Sequence, residues 1–197
     1  MKIVGITGGI GSGKTTLARY FNDAFGIPVY YADAEAKALM HSPKLVKQII
    51  ALLGEQSYKD GRLDRAFVAS RVFKDQKLLD KLNAIVHPAV KQHFKSWVKK
   101  QSAPYILKEA AILFENGNAA DCDAVILVTA PEALRIERVI DRDGTPVEDI
   151  KDRINKQWSD AQKIPLADFV IENIQLSESK KQAEKIHSKL LGDRINT

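Results

Sequence analysis

One cysteine, Cys122, is all the thiol chemistry in a chain of 197 residues. Its solitude excludes an internal disulfide and any all-cysteine metal site. It stands just before an apolar run, so packing as a small apolar side chain is its expected role. No stretch of about 18 apolar residues occurs, so no transmembrane helix and no membrane partner are expected. Only Lys2 could charge the front of a secretory signal, and Gly8–Gly13 interrupts the apolar residues behind it. The default compartment is therefore the cytosol. Aromatic residues are scarce at 7%, and the aromatic signatures that stack RNA bases are missing.

What is present fits one globular domain carrying an insert or a lid. Apolar residues make up 45% and charged residues 28%, with a formal charge of +5. That surplus is uneven. Residues 61–120 hold eleven basic groups against five acidic ones, whereas residues 121–197 hold twelve against fifteen. A basic middle third reads either as a solvated face of Lys-rich helices or as attraction for an anionic partner, nucleotide-like or nucleic acid. Composition alone leaves both open.

Lys2–Ile6 is a short apolar run ending in glycines, the pattern of a buried strand. From Thr15, the spacing of Leu17, Ala18, Phe21, Ala24 and Phe25 predicts a helix stopped by Gly26 and Pro28. Val29–Tyr31 then predicts a second strand, completing a βαβ unit. Residues 34–100 read almost wholly as helix, with a stripe from Leu45 to Leu53 ended by Gly54 and another from Leu78 to Val86. Pro88 is expected to break or kink the second stripe before Val90, Phe94, Trp97 and Val98 resume it. Strand character returns at Tyr105–Leu107, at Ala124–Thr129 and at Phe169–Ile171. Pro131 marks the first turn of a helix reaching about Arg142, a polar helix spans roughly Val147–Trp158, and Ser177 is expected to cap the last helix. The alternation predicts an α/β fold with a five-stranded parallel sheet and helices on both faces. Its core would be about 1–33, 102–134 and 164–197, with a helical insert at about 34–101 and a lid at about 135–163. No apolar stripe stands apart from the core stripes, so a monomer or weak homo-oligomer is expected.

Between the first strand and helix stands Gly8-Gly-Ile-Gly-Ser-Gly-Lys-Thr15, which fits G-x-x-x-x-G-K-[ST]. Glycines let the loop turn its amide N–H groups onto phosphate oxygens, and the helix start adds unpaired donors and a positive dipole end. Lys14 supplies a point charge to the β and γ phosphates, and the Thr15 hydroxyl can ligate Mg²⁺. A P-loop NTPase fold binding ATP or GTP with Mg²⁺ follows. A GTPase would need a guanine-reading N-K-x-D, and Asn155-Lys156-Gln157-Trp158 lacks the aspartate. A kinase needs a base for the acceptor hydroxyl, and Asp33 lies just past the second strand, where ligands gather in such sheets. An N-cap on a helix starting at Ala34 explains Asp33 equally well. Arg135, Arg138, Arg142 and Arg153 flank the Asp143–Pro146 turn, as arginines of a closing lid would, although a solvated charged face produces the same run.

Taken together, the residues resemble the dephospho-CoA kinase family. The resemblance runs along essentially the whole chain through Thr7-Gly-Gly-Ile-Gly-Ser-Gly-Lys-Thr-Thr16, Ala32-Asp33, Leu63-Asp-Arg65 with Val72-Phe73, and Leu82-Asn83. It continues through His87-Pro88, Leu113-Phe-Glu115, Arg138 with Arg142-Asp143, Arg153, Gln157, and Ala167-Asp168 with Asn173. It implies transfer of the γ phosphate of ATP to the ribose 3′-hydroxyl of dephospho-CoA, the last step of coenzyme A synthesis. Another P-loop kinase of nucleosides or nucleotides, or a nucleotide-dependent switch or nucleic-acid-associated ATPase, is the alternative from motif order alone. The resemblance makes Asp33 the catalytic base, with Lys14 and Arg142 steadying the transferring group. It puts Gly9, Gly11, Ser12, Gly13, Lys14, Thr15 and Thr16 on the phosphates, Arg138 and Asn173 at the adenine end, and Thr15 on the metal. The helical insert becomes a CoA-binding part, with Arg65, His87, Leu113 and Glu115 on the acceptor side. His87 reads equally as a cap at a helix junction before Pro88. The basic segment then reads as the docking surface of one small polyanion rather than a nucleic-acid footprint. Two positions depart from the family pattern. Tyr31 stands where many members carry the first acid of Asp-Ala-Asp, a task that could pass to Glu109, and Ala111 stands where the family carries proline.

Overall fold

A computed structural model describes residues 1–72 and 75–192. Phe73, part of the motif quoted above, lies outside the described residues. Two compact units make up the chain: residues 1–31 with 101–197, and residues 32–100.

The first unit is built on β1 (Lys2–Thr7), α1 (Lys14–Phe25) and β2 (Val29–Tyr31). It resumes with β5 (Tyr105–Glu109), β6 (Ala124–Thr129), α6 (Glu132–Asp143), α7 (Val147–Asn155), α8 (Asp160–Lys163), β7 (Phe169–Glu172) and α9 (Leu176–Leu191). All five strands are parallel, in the order β2-β5-β1-β6-β7. The predicted α/β sheet is the observed one. A period of two sorts its side chains: Val4, Ile6, Tyr105, Leu107, Ile126, Val128 and Ile171 share a core with Leu17, Ala18 and Phe21 of α1 and Ala183, Ile186 and Leu190 of α9. The residues between them, Ile106, Val125 and Leu127, are buried as well. Both faces of the sheet are thus covered, as parallel strands require. Helix α1 ends where Gly26 turns left-handed and returns its N–H to Asn22.

The second unit holds α2 (Ala32–Leu39), α3 (Pro43–Leu53), the strands β3 (Tyr58–Lys59) and β4 (Arg62–Leu63), α4 (Arg65–Val72) and α5 (Gln76–Val98). Leu45, Ile49 and Leu53 of α3 meet Val68 and Val72 of α4 and Leu82 and Val86 of α5. Residues 34–100 are almost wholly helical, as expected, apart from a small antiparallel hairpin closed by Asp60 and Gly61, which take positive φ values of 50° and 73°. Two details differ from expectation. Pro88 does not break α5, which runs unbroken from 76 to 98 because buried Val86 and Phe94 hold it on both sides of the ring. In the first unit, α9 is capped at Gln175, so Ser177 lies inside its first turn.

Candidate functional site

The loop from Gly8 to Gly13 leaves the carboxyl end of β1, the central strand, and delivers Lys14 and Thr15 onto the first turn of α1. Gly13 is left-handed (φ 89°), and a Cβ there would run into the Asn173 amide. Its neighbours close the loop: Ser12 donates to the Gly9 carbonyl at 3.0 Å, and Leu17 to the Gly13 carbonyl at 3.1 Å. Ser12 is buried and Thr16 exposed on the helix.

Glu109 lies at the carboxyl end of β5, the strand beside β1, and is 5% exposed. Its Oε1 accepts the Thr15 hydroxyl at 2.9 Å and lies 3.7 Å from Lys14 Nζ. A buried carboxylate therefore faces the Lys14 and Thr15 side chains at the end of the loop. The sequence-predicted strand stopped two residues short, at Leu107, which hid this placement. Across from Glu109 in the register stands Tyr31. Burial pushes the Tyr31 phenol up, Arg19 opposes that, and Glu109 adds to it.

On the far side of the loop, Asn173 is buried and both ends of its amide are engaged. Nδ2 donates to the Ser12 carbonyl at 2.8 Å, and Oδ1 accepts from Ser179 at 2.9 Å. Arg138 is half-buried on α6, donates to the Ile174 carbonyl at 3.3 Å, and comes within 4.0 Å of where a Gly13 Cβ would stand. Its Nη1 is buried without a hydrogen-bond partner among the described residues. Arg142, one turn further on, is exposed and forks onto Asp143 at 2.9 and 2.7 Å, which holds the Asp143 carboxyl low.

Leu113 is wholly buried, in the space beside Gly5 of β1, so it has no surface to offer a ligand. Glu115 accepts the Trp158 N–H at 3.2 Å and pairs at 2.9 Å with Lys163, a lysine buried completely. Arg135, read from sequence only as one of a run, is 7% exposed and reaches the Ile10 carbonyl and Asp160. No pattern of residue types separates such a buried arginine from a solvated one.

The remaining candidates belong to the second unit. Asp33 is exposed and is the second residue of α2, which begins at Ala32; it is not the N-cap of a helix starting at Ala34. Arg65 is the exposed first residue of α4, whose turn is capped by Asp64 accepting from Phe67 at 2.9 Å. An open depression there is lined by Lys59, Arg62 and Arg65 with Asp60, Leu63 and Asp64. His87 is exposed in the middle of α5, so the junction reading fails for want of a junction.

Among the described residues no helix is long and apolar enough to cross a membrane. The sequence profile of the dephospho-CoA kinase family matches residues 2–178. A dephospho-CoA kinase of Bacteroides fragilis (strain YCH46) is 39% identical over 172 residues, covering 86% of this chain and 83% of the relative. One of Chlorobium luteolum is 38% identical over 200 residues, covering 96% and 90%. The crystal structure of TT1252 from Thermus thermophilus superposes with a TM-score of 0.89 at 33% identity, covering 96% of this chain and 97% of that one. A nucleotide-type loop, an acid beside it and this agreement in sequence and fold lead to one conclusion: the chain belongs to the dephospho-CoA kinase family.

Proposed function

We propose that this chain transfers the γ-phosphoryl group of ATP to the ribose 3′-hydroxyl of dephospho-CoA, giving coenzyme A and ADP. The observation that carries the reading is Glu109 buried against both Lys14 and Thr15, on a chain whose family profile spans residues 2–178. Asp33, two residues beyond β2 and exposed, is the base: its carboxylate takes the 3′-hydroxyl proton. The 3′-oxygen then bonds to the γ phosphorus while the bond from that phosphorus to the β,γ-bridging oxygen breaks, leaving ADP. Lys14 and the amides of Gly9 to Thr16 hold the phosphates, and Arg142, released from Asp143, meets the charge as residues 135–163 close as a lid. Arg138 serves the nucleotide end with an unused Nη1, and Asn173 acts through the loop backbone it holds. On the acceptor side Arg65 and His87 are surface contacts, whereas Leu113 and Glu115 hold their own segment, Leu113 against Gly5 and Glu115 on Trp158 and Lys163.

Hard oxygen donors suit Mg²⁺, and the Thr15 hydroxyl beside the Glu109 carboxylate provides them. Thr15 would ligate the ion and Glu109 would hold its water; the ion's contribution is to neutralise charge on the β and γ oxygens. A cytosolic protein working as a monomer or weak homo-oligomer completes the reading.

Release of ADP, followed with dephospho-CoA, adenosine or AMP as acceptor, tests it. Turnover is expected with dephospho-CoA. Turnover with adenosine or AMP and none with dephospho-CoA would overturn it, as would ATP hydrolysis that RNA stimulates without any acceptor.

A further inference from the structure

The loop signature requires glycine only at positions 8 and 13, yet this chain also carries Gly9 and Gly11. Arg135 of α6 explains both. A Cβ on Gly9 would lie 2.8 Å from its guanidinium carbon, and one on Gly11, which is left-handed at φ 78°, would strike its backbone carbonyl. Between these glycines, Ile10 is held from two sides: its carbonyl accepts from Arg135 Nε at 3.1 Å, and its N–H donates to Gln157 Oε1 at 3.0 Å. Arg135 Nη1 is in turn 3.6 Å from Asp160, which follows Gln157 by three residues at the head of α8. A flat guanidinium fits under two residues that have no side chains, and a buried cation held by both a carboxylate and a carbonyl is costly to displace.

We propose that Arg135 is a positioning residue of the phosphate loop, and that Gly9 and Gly11 are glycines in order to admit it. Arg135 touches the loop from beneath and fixes the Ile10 peptide, so that the following amides present themselves to the phosphates without reorganising. Gln157 holds the preceding peptide by its Ile10 N–H and Asp160 faces the Arg135 guanidinium, both from the segment that follows α7, so the loop and the stretch carrying Arg142 and Arg153 share one anchor. The inference rests on ATP occupying this loop, but not on which acceptor is used.

The test combines direct ATP binding, measured calorimetrically without acceptor, with steady-state kinetics and thermal melting. Arg135→Met keeps the apolar stem and removes every donor. It is expected to weaken ATP binding and raise the ATP KM by about tenfold, the loss of one charge-assisted bond, while the acceptor KM stays within about twofold on the same reasoning. Arg135→Lys is expected to recover part of the affinity. The decisive arm is a double-mutant cycle: Gly9→Ala weakens ATP binding in the natural background and changes it little on top of Arg135→Ala, where the guanidinium is gone. Unchanged ATP affinity in Arg135→Met would overturn the proposal, and so would penalties of Gly9→Ala and Arg135→Ala that add independently. Losses in kcat and both KM values that track a fall in melting temperature would reduce Arg135 to a packing residue. Should Arg135→Met fail to fold, Gly9→Ala alone decides, since normal ATP affinity there contradicts a guanidinium pressed against the loop. Normal ATP binding by the natural chain without turnover of dephospho-CoA would sink the proposed reaction and leave the clamp standing.

Discussion

Glu109 and Asp33 carry the same carboxylate group in opposite surroundings. Glu109 is buried, with its carboxylate on the Thr15 hydroxyl and 3.7 Å from Lys14. Asp33 is exposed on the first turn of α2, and the proposed reaction makes it the base. For Asp33→Asn, turnover should fall by about 10²–10⁴-fold with ATP affinity near normal; normal turnover would return the residue to a local structural role. For Glu109→Gln, the Mg²⁺ concentration that half-activates the enzyme should rise by about tenfold or more, the usual loss when an outer partner of a metal site goes. An unshifted Mg²⁺ dependence would detach Glu109 from the metal. Tyr105 is buried in β5 with its hydroxyl 2.7 Å from His187 Nδ1, and burial pushes its phenol well up. The folded phenol keeps its proton longer than the unfolded one, which ionises near pH 10. Stability is therefore complete below about pH 10 and falls as pH climbs toward the folded value. Denaturant unfolding across that range should show the decline, and Tyr105→Phe should flatten it. An equally steep decline in that variant would assign it to other groups. Lys14 and Thr15 were readable in the sequence because the loop's chemistry fixes their spacing. Arg135 and Lys163 were not, because burial of a cation depends on carboxylates and carbonyls brought from distant parts of the chain.

Elements were legible where periodicity runs long enough to express itself. The apolar runs of β1, β5 and β6, buried on both faces of the sheet, and the stripes of α1 and α3 lie where the sequence put them. The failures are local and have local causes. The hairpin at residues 58–63 has only two residues in each strand, too few for a period of two to show, although Asp60-Gly61 is a turn signal in its own right. Pro88 should end a helix by its missing N–H and its ring, but α5 is long, buried along one stripe on both sides of residue 88, and firmly started. That start is Asp75, whose side chain accepts from the Leu78 N–H at 3.1 Å. Asp75→Ala should lower the stability of the chain by about 1 kcal/mol, read as a shift in the denaturant midpoint, and Asp75→Asn should restore most of it. A midpoint unchanged in Asp75→Ala would show that α5 is set by its packing alone.

Charge divides between the two units as unevenly as it does along the sequence. Residues 32–100 hold fourteen basic groups against seven acidic ones, while the rest of the chain holds sixteen against eighteen. Lys59, Arg62 and Arg65 gather at one depression of the basic unit. Since dephospho-CoA carries a pyrophosphate, its KM should rise several-fold as KCl increases from about 0.05 to 0.5 M, where screening shortens from over 10 Å to a few ångströms. A flat KM across that range would mean that the basic surplus is only a solvated surface. Phosphorus NMR of the product formed from ATP and dephospho-CoA reads the position of the transferred phosphate directly. The expected result is one new phosphomonoester resonance coupled to the ribose H3′ proton, growing in step with ADP. Inorganic phosphate alone, or a monoester on any other hydroxyl, would contradict it.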